Sequence, residues 1–136
     1  MKLTAFIKKY QGRILQDDGA YKSKEFIQFA RDLKNTVKTL AKEVGAEVTY
    51  YHIGHYDVFG FVRKADNVVY FSYSEPRRRS IDLHCKDAMN GILVRTATDE
   101  KDFHGGMNHF CNFVEMKSVF EELLGESSRT HIKEAS

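Results

Sequence analysis

The 136-residue chain contains no tryptophan, one proline and two cysteines, and its 21 basic and 19 acidic residues leave a formal charge of only +2. Each shortage excludes something. A near-neutral balance gives no overall field that would draw the protein onto DNA or an anionic membrane, so a nucleic-acid role would have to rest on a local patch. Two cysteines, Cys85 and Cys111, are too few for a disulfide framework. Met1, Lys2 and Leu3 lead straight into an amphipathic pattern containing lysines and not into a secretory leader, so reduced thiols and a cytoplasmic location are expected. No apolar run nears the roughly 20 residues that span a bilayer, so no membrane partner is expected. The sequence also has no Walker or dinucleotide glycine loop, no CxxC, no HExxH and no His-x-Glu of the zinc-deaminase kind.

What is present suits a single core. Hydrophobic residues make up 42% of the chain, with ten Phe and seven Tyr, and a domain of this size buries about two thirds of the surface its unfolded chain exposes. Leu3, Phe6, Ile7, Tyr10 and Ile14 recur at helical spacing and predict a short helix weakened at its end by Gly12. A turn over 16–19 follows, and Ser23 is a candidate N-cap. Phe26, Ile27, Ala30, Leu33, Val37, Leu40, Ala41 and Val44 then form the apolar stripe of a longer helix, closed by Gly45 in the left-handed conformation.

After Gly45 the period changes from 3.6 to 2. Strands are predicted over 48–51, 56–63, 68–73 and 92–97, with a turn at Ala65, Asp66 and Asn67, and with Pro76 closing the third because it cannot donate to a ladder. Residues 81–90 fit no single pattern. Residues 108–114 read as extended after the Gly105-Gly106 loop, and Met116, Val119, Phe120, Leu123 and Leu124 mark the inner stripe of a closing helix over 115–124. The fold class is therefore α+β: two N-terminal helices, a four- to five-stranded antiparallel sheet and a C-terminal helix. One domain spans 1–124, and 125–136 reads as a flexible polar tail.

Two groups of residues could carry function. If 108–114 is extended, His109 and Cys111 point to one side. With His104, and with Cys85 or His84 from the earlier irregular segment, they have the thiolate and imidazole donors of a tetrahedral zinc site. The competing reading makes the cysteines small buried hydrophobes and leaves the histidines at loop edges. The second group is aromatic and basic: Tyr50, Tyr56, Tyr70, Phe71 and Tyr73 on the sheet, near Arg63 and Arg95 and with Arg77, Arg78 and Arg79 beyond it, could anchor a protein partner or stack single-stranded nucleic acid, the competing reading being that helices cover one face and tyrosines decorate the other. The acids Asp99, Glu100 and Asp102 could mimic phosphates toward a basic partner. Cys111 with a nearby histidine lacks the orienting acid and oxyanion pocket of a thiol nucleophile, so no catalytic set is assigned.

The opening MKLTAFIKKYQGRILQDDGAYKSKEFIQFARDLK, the strand GHYDVFGFV and the stretch RTATDEKDFHGGMNHF resemble small uncharacterised proteins carried by phages and conjugative elements of Gram-positive bacteria, over about residues 1–124. Short α+β proteins of that setting include anti-CRISPR proteins, some of them zinc-containing, that bind and block type II effector nucleases. The resemblance implies a non-enzymatic inhibitor working in the host bacterial cytoplasm, with a host defence protein such as a CRISPR effector nuclease as partner and a structural zinc as cofactor. It carries over no functional residue. A nucleotide or single-stranded nucleic-acid binder is the alternative.

Overall fold

The computed structural model describes residues 1–11, 24–54, 57–74, 91–103 and 108–135. Two helices, α1 (Leu3–Tyr10) and α2 (Lys24–Glu43), precede five strands, β1 (Glu47–Ile53), β2 (Asp57–Lys64), β3 (Asn67–Ser74), β4 (Gly91–Ala97) and β5 (His109–Asn112). A 3₁₀ turn at Phe113–Glu115 leads into α3 (Met116–Ala135). The strands form one antiparallel meander in the order β1-β2-β3-β4-β5, which is the α+β class expected.

Helix α2 exists because its apolar residues fall three and four apart. Phe26, Phe29, Ala30, Leu33, Val37, Leu40 and Ala41 are all buried, and each large side chain withdrawn from water contributes on the order of 1.5–3 kcal/mol. Gly45 ends the run with φ +77°, a backbone setting that a Cβ would penalise. The sheet face toward the helices carries Val58, Val62, Val69, Phe71, Tyr73, Ile92, Val94 and Cys111, which share one core with α2 and with Phe113, Met116, Phe120 and Leu124. Phe29 meets Tyr73 with ring centres 4.4 Å apart, and Phe71 meets Phe120 edge-on at 6.1 Å. The hydroxyl of Tyr51 donates to the Ala30 carbonyl at 2.6 Å, fastening β1 under α2.

A bulge sets which side chains of β1 face inward. Val48 pairs with Val62 but Tyr50 pairs with Phe61, so Thr49 is an extra residue on this strand. The insertion reverses the alternation. Val48, Tyr51 and Ile53 pack against the core, while Tyr50 and His52 turn to the other face through their pairing with Phe61 and Phe59.

Several boundaries differ from the sequence reading. Helix α1 stops at Tyr10 because Gln11 is extended, with ψ 130°. Gly12, Ile14, the 16–19 turn and Ser23 lie outside the described residues, as does Tyr56 at the expected start of β2. Helix α3 does not stop at Leu124 but runs to Ala135. One glycine within a helix costs only about 1 kcal/mol and no proline follows Gly125, so nothing in the sequence forces a stop there.

Candidate functional site

The sheet face turned away from the helices is built in rows that the strand register dictates. One row is Tyr50, Phe61, Tyr70 and Arg95, in successive partnership across β1 to β4. The next is His52, Phe59, Ser72, Leu93 and Phe110, across all five strands. Ring centres within these rows lie 6.2 Å apart for Tyr50 and Phe61, 5.3 Å for Phe61 and Tyr70, and 4.9 Å for His52 and Phe59. The Arg95 guanidinium extends the first row, 4.3 Å from the centre of the Tyr70 ring. Burial pushes the Tyr70 hydroxyl above its ordinary pKa, so it stays a neutral donor.

Among the described residues no helix packs on this face. The turn 98–103, between β4 and β5, folds across part of it. Phe103 sets its ring edge-on against Phe59 at 5.9 Å, Phe61 at 5.4 Å and Tyr70 at 6.3 Å. Arg63 grips both carboxylate oxygens of Glu100, at 2.7 and 2.8 Å, and those hydrogen bonds pull the Glu100 pKa down to about 2. Arg95 donates to the Asp102 carbonyl at 2.6 Å and lies 3.8 Å from its carboxylate. The result is a small second core: Phe61 and Val68 are buried here, outside the cluster beneath the helices. Around it Tyr50, Phe103 and Phe110 remain 41%, 42% and 38% exposed.

No protein-family model, curated protein or solved structure matches this chain.

The structure separates the residues expected to act together. Tyr50 and Tyr70 belong to the aromatic face, but Phe71 and Tyr73 do not: each lies an odd number of residues from Tyr70, points to the opposite side and is buried, Phe71 against Phe120 and Tyr73 against Phe29 and Phe113. Arg77, Arg78 and Arg79 lie outside the described residues, as do His84, Cys85 and His104. His109 and Cys111 do share one side of β5, paired with Val94 and Ile92. Cys111 is nevertheless 3% exposed, and burial pushes its thiol up to about 12, while His109 is exposed. Among the described residues no group of three metal-binding side chains converges. Of the acids read as phosphate mimics, Glu100 and Asp102 are turned inward onto Arg63 and Arg95. No helix among the described residues is long and apolar enough to cross a membrane.

Phe59, Phe61, Phe103 and Phe110 were not part of the expected site. Strict alternation with Tyr70 and its hairpin partner Phe61 would have found the first two. Phe103 carried no such signal, because it lies in a turn.

A second polar cluster sits between α1 and α2. Asp32 accepts from Lys9 at 2.8 Å, Tyr10 at 2.5 Å and Gln28 at 3.1 Å, beside a cleft of about 310 Å³ lined by Lys9, Tyr10, Lys24, Glu25 and Gln28. Three donors converge on one carboxylate from two helices, which is the pattern of an interhelical tether.

Proposed function

We propose that the protein is a non-enzymatic binding protein whose interface is the helix-free face of its sheet. The observation that carries this reading is the pair of half-exposed rings Tyr50 and Phe110, on either side of Phe59, Phe61 and Tyr70, on a sheet face that no described helix covers. Large aromatic side chains on a pre-ordered scaffold lose little entropy on docking and supply most of the energy at protein interfaces. A protein partner is favoured over a phosphate backbone because the two arginines beside the rings are already neutralised by Glu100 and Asp102.

The resemblance to proteins of mobile elements supplies the target class: a host defence protein, in particular a type II CRISPR effector nuclease, blocked sterically. The direct test is DNA cleavage by a panel of type II effector nucleases with and without the purified protein, alongside plasmid protection in matched hosts. Inhibition that is lost in the Tyr50→Ser, Phe110→Ser double variant, with the fold intact by circular dichroism, is the expected result. Cleavage unaffected across the panel removes the inhibitor reading. Undiminished inhibition by the double variant removes the face.

A further inference from the structure

The turn 98–103 reaches the aromatic face as a bound peptide would. Its described backbone hydrogen bonds close within the turn: Asp102 N–H donates to the Asp99 carbonyl at 3.3 Å and Phe103 N–H to the Lys101 carbonyl at 3.1 Å. Asp102 Oδ2 also accepts from Thr98 N–H at 3.0 Å, which shapes the turn from inside. What the turn offers the sheet is a carboxylate on Arg63, a carboxylate and a carbonyl on Arg95, and one ring on the aromatic row. The outer part of this hold is wet. The Arg63 and Glu100 side chains are 33% and 28% exposed and the Phe103 ring 42%, so although the ion pair is bidentate, water, salt and a competing carboxylate can reach it.

The inner part sets a condition on any competitor. Arg95 is 2% exposed with the turn in place, and a competitor that covered it again without supplying an acid would bury an uncompensated guanidinium, which is costly. A segment that displaces the turn must therefore bring one acid for Arg63, a second for Arg95 and a ring for Phe59, Phe61 and Tyr70. The turn itself meets this condition with Glu100, Lys101, Asp102 and Phe103 in sequence.

We propose that the aromatic face is a recognition site for an acidic-aromatic peptide segment of a partner protein, of pattern acid-x-acid-aromatic, and that the turn 98–103 is a built-in pseudo-ligand which keeps the site closed until that segment displaces it. This rests on the binding-protein reading above and names the chemistry of its partner. Because the turn is tethered, it competes at an effective concentration on the order of 1 mM. Segments lacking the second acid are rejected by the unpaired Arg95 they would leave.

The test is a chemical-shift titration of the full chain with a capped peptide of residues 97–103 supplied in trans. The Glu100→Ala, Phe103→Ala variant, whose turn retains only Asp102 against Arg95 and so competes more weakly, is expected to bind it saturably and roughly 10-fold more tightly than the unsubstituted chain, the factor by which a competitor at about 1 mM weakens a peptide of intrinsic Kd about 0.1 mM. Adding Arg63→Ala should abolish the gain. Equal binding by opened and unsubstituted chains, equal binding of a scrambled peptide, or tighter binding of oligo(dT) than of the peptide would each overturn the proposal. Should the double variant unfold, Glu100→Gln, which leaves Phe103 seated, must still bind the peptide more tightly than the unsubstituted chain, and equal affinity sinks the idea. A negative titration together with inhibition that depends on Tyr50 and Phe110 would remove the pseudo-ligand and leave the interface standing.

Discussion

The guanidinium of Arg95 stacks on the ring of Tyr70 at 4.3 Å, directly opposite it across the β3–β4 ladder. That contact places a charged group at 2% exposure on the side of the sheet away from the helices. The charge is tolerated because its donors reach the Asp102 carbonyl at 2.6 Å and the Thr96 carbonyl at 3.3 Å, with the Asp102 carboxylate nearby. One side chain thus joins the aromatic row to the turn that crosses it.

Arg95→Lys is therefore not conservative. An ammonium keeps the charge but loses the planar stack on Tyr70 and the forked donation to two carbonyls. We expect a loss of about 1–2 kcal/mol in urea unfolding, together with weaker protection of the 98–103 amides in hydrogen exchange. Unchanged protection would mean that Arg95 does not hold the turn.

Gly60 has a different task on the opposite face. Its pairing with Tyr51 and Phe71 leaves room for those two rings to meet at 6.0 Å. A Cβ at this position would lie 2.2 Å from the Tyr50 carbonyl oxygen and 2.9 Å from the Phe71 ring. Gly60→Ala should then destabilise by about 2–4 kcal/mol, because neither a ladder backbone nor a buried ring can yield easily. A melting temperature within 2–3 °C of the parent, which for a chain of this size corresponds to less than about 1 kcal/mol, would show that the strands shift to accommodate it.

Much of this architecture was legible in the chain because periodicity reports burial. The 3.6 spacing of Phe26, Ala30, Leu33, Val37 and Leu40 fixed α2, and alternation around Phe59, Phe61, Val69 and Phe71 fixed the hairpin. The bulge at Thr49 was not legible, since one inserted residue leaves composition and propensity unchanged while inverting every later side chain of β1. The site was harder still. Tyr70 and Tyr73 look alike in sequence, but an odd spacing sends them to opposite faces, and Phe103 gains its role from a turn whose path is set by two ion pairs, one of them to Arg63, 37 residues from Glu100.

Cys111 and zinc can be tested together. With its thiol pushed up to about 12 and its side chain packed opposite Ile92, native Cys111 should react with iodoacetamide at pH 8 on the order of 100-fold more slowly than in denaturant, because only the thiolate attacks. Peptide mapping by mass spectrometry isolates this site from Cys85. Elemental analysis of the untagged protein should give the same zinc content for the Cys111→Ala variant as for the parent. A zinc stoichiometry that falls on substitution would restore Cys111 as a ligand.

The two-residue loop of the β2–β3 hairpin carries a residue in an unfavourable setting. Lys64 and Asn67 pair across it, and Ala65 adopts φ 53°, where glycine is at home and a Cβ costs roughly 1–2 kcal/mol. Ala65→Gly relieves that strain but adds freedom to the unfolded chain, so the net gain should be about 0.5–1 kcal/mol. Denaturation that shows no gain would place the strain elsewhere in the loop.

Acid should weaken the fold in a defined window. The Asp32 carboxyl is driven upward by burial, but hydrogen bonds from Lys9, Tyr10 and Gln28 outweigh this and leave its pKa below 3.8. Glu100, hydrogen-bonded by Arg63, falls from 4.5 to about 2. For both groups the unfolded chain binds protons more readily than the folded one, so the stability they confer is complete above about pH 5 and is lost as pH falls toward the folded values. Urea midpoints should be flat from pH 7 to 5 and drop from pH 5 to 2. Glu100→Gln should flatten the part of that drop nearest pH 2 to 4.5, and Asp32→Asn should lower stability at neutral pH by about 2 kcal/mol while flattening the remainder, since an amide cannot serve Lys9 as a charged acceptor. A midpoint that rises on acidification would contradict the placement of both carboxylates against their cationic partners.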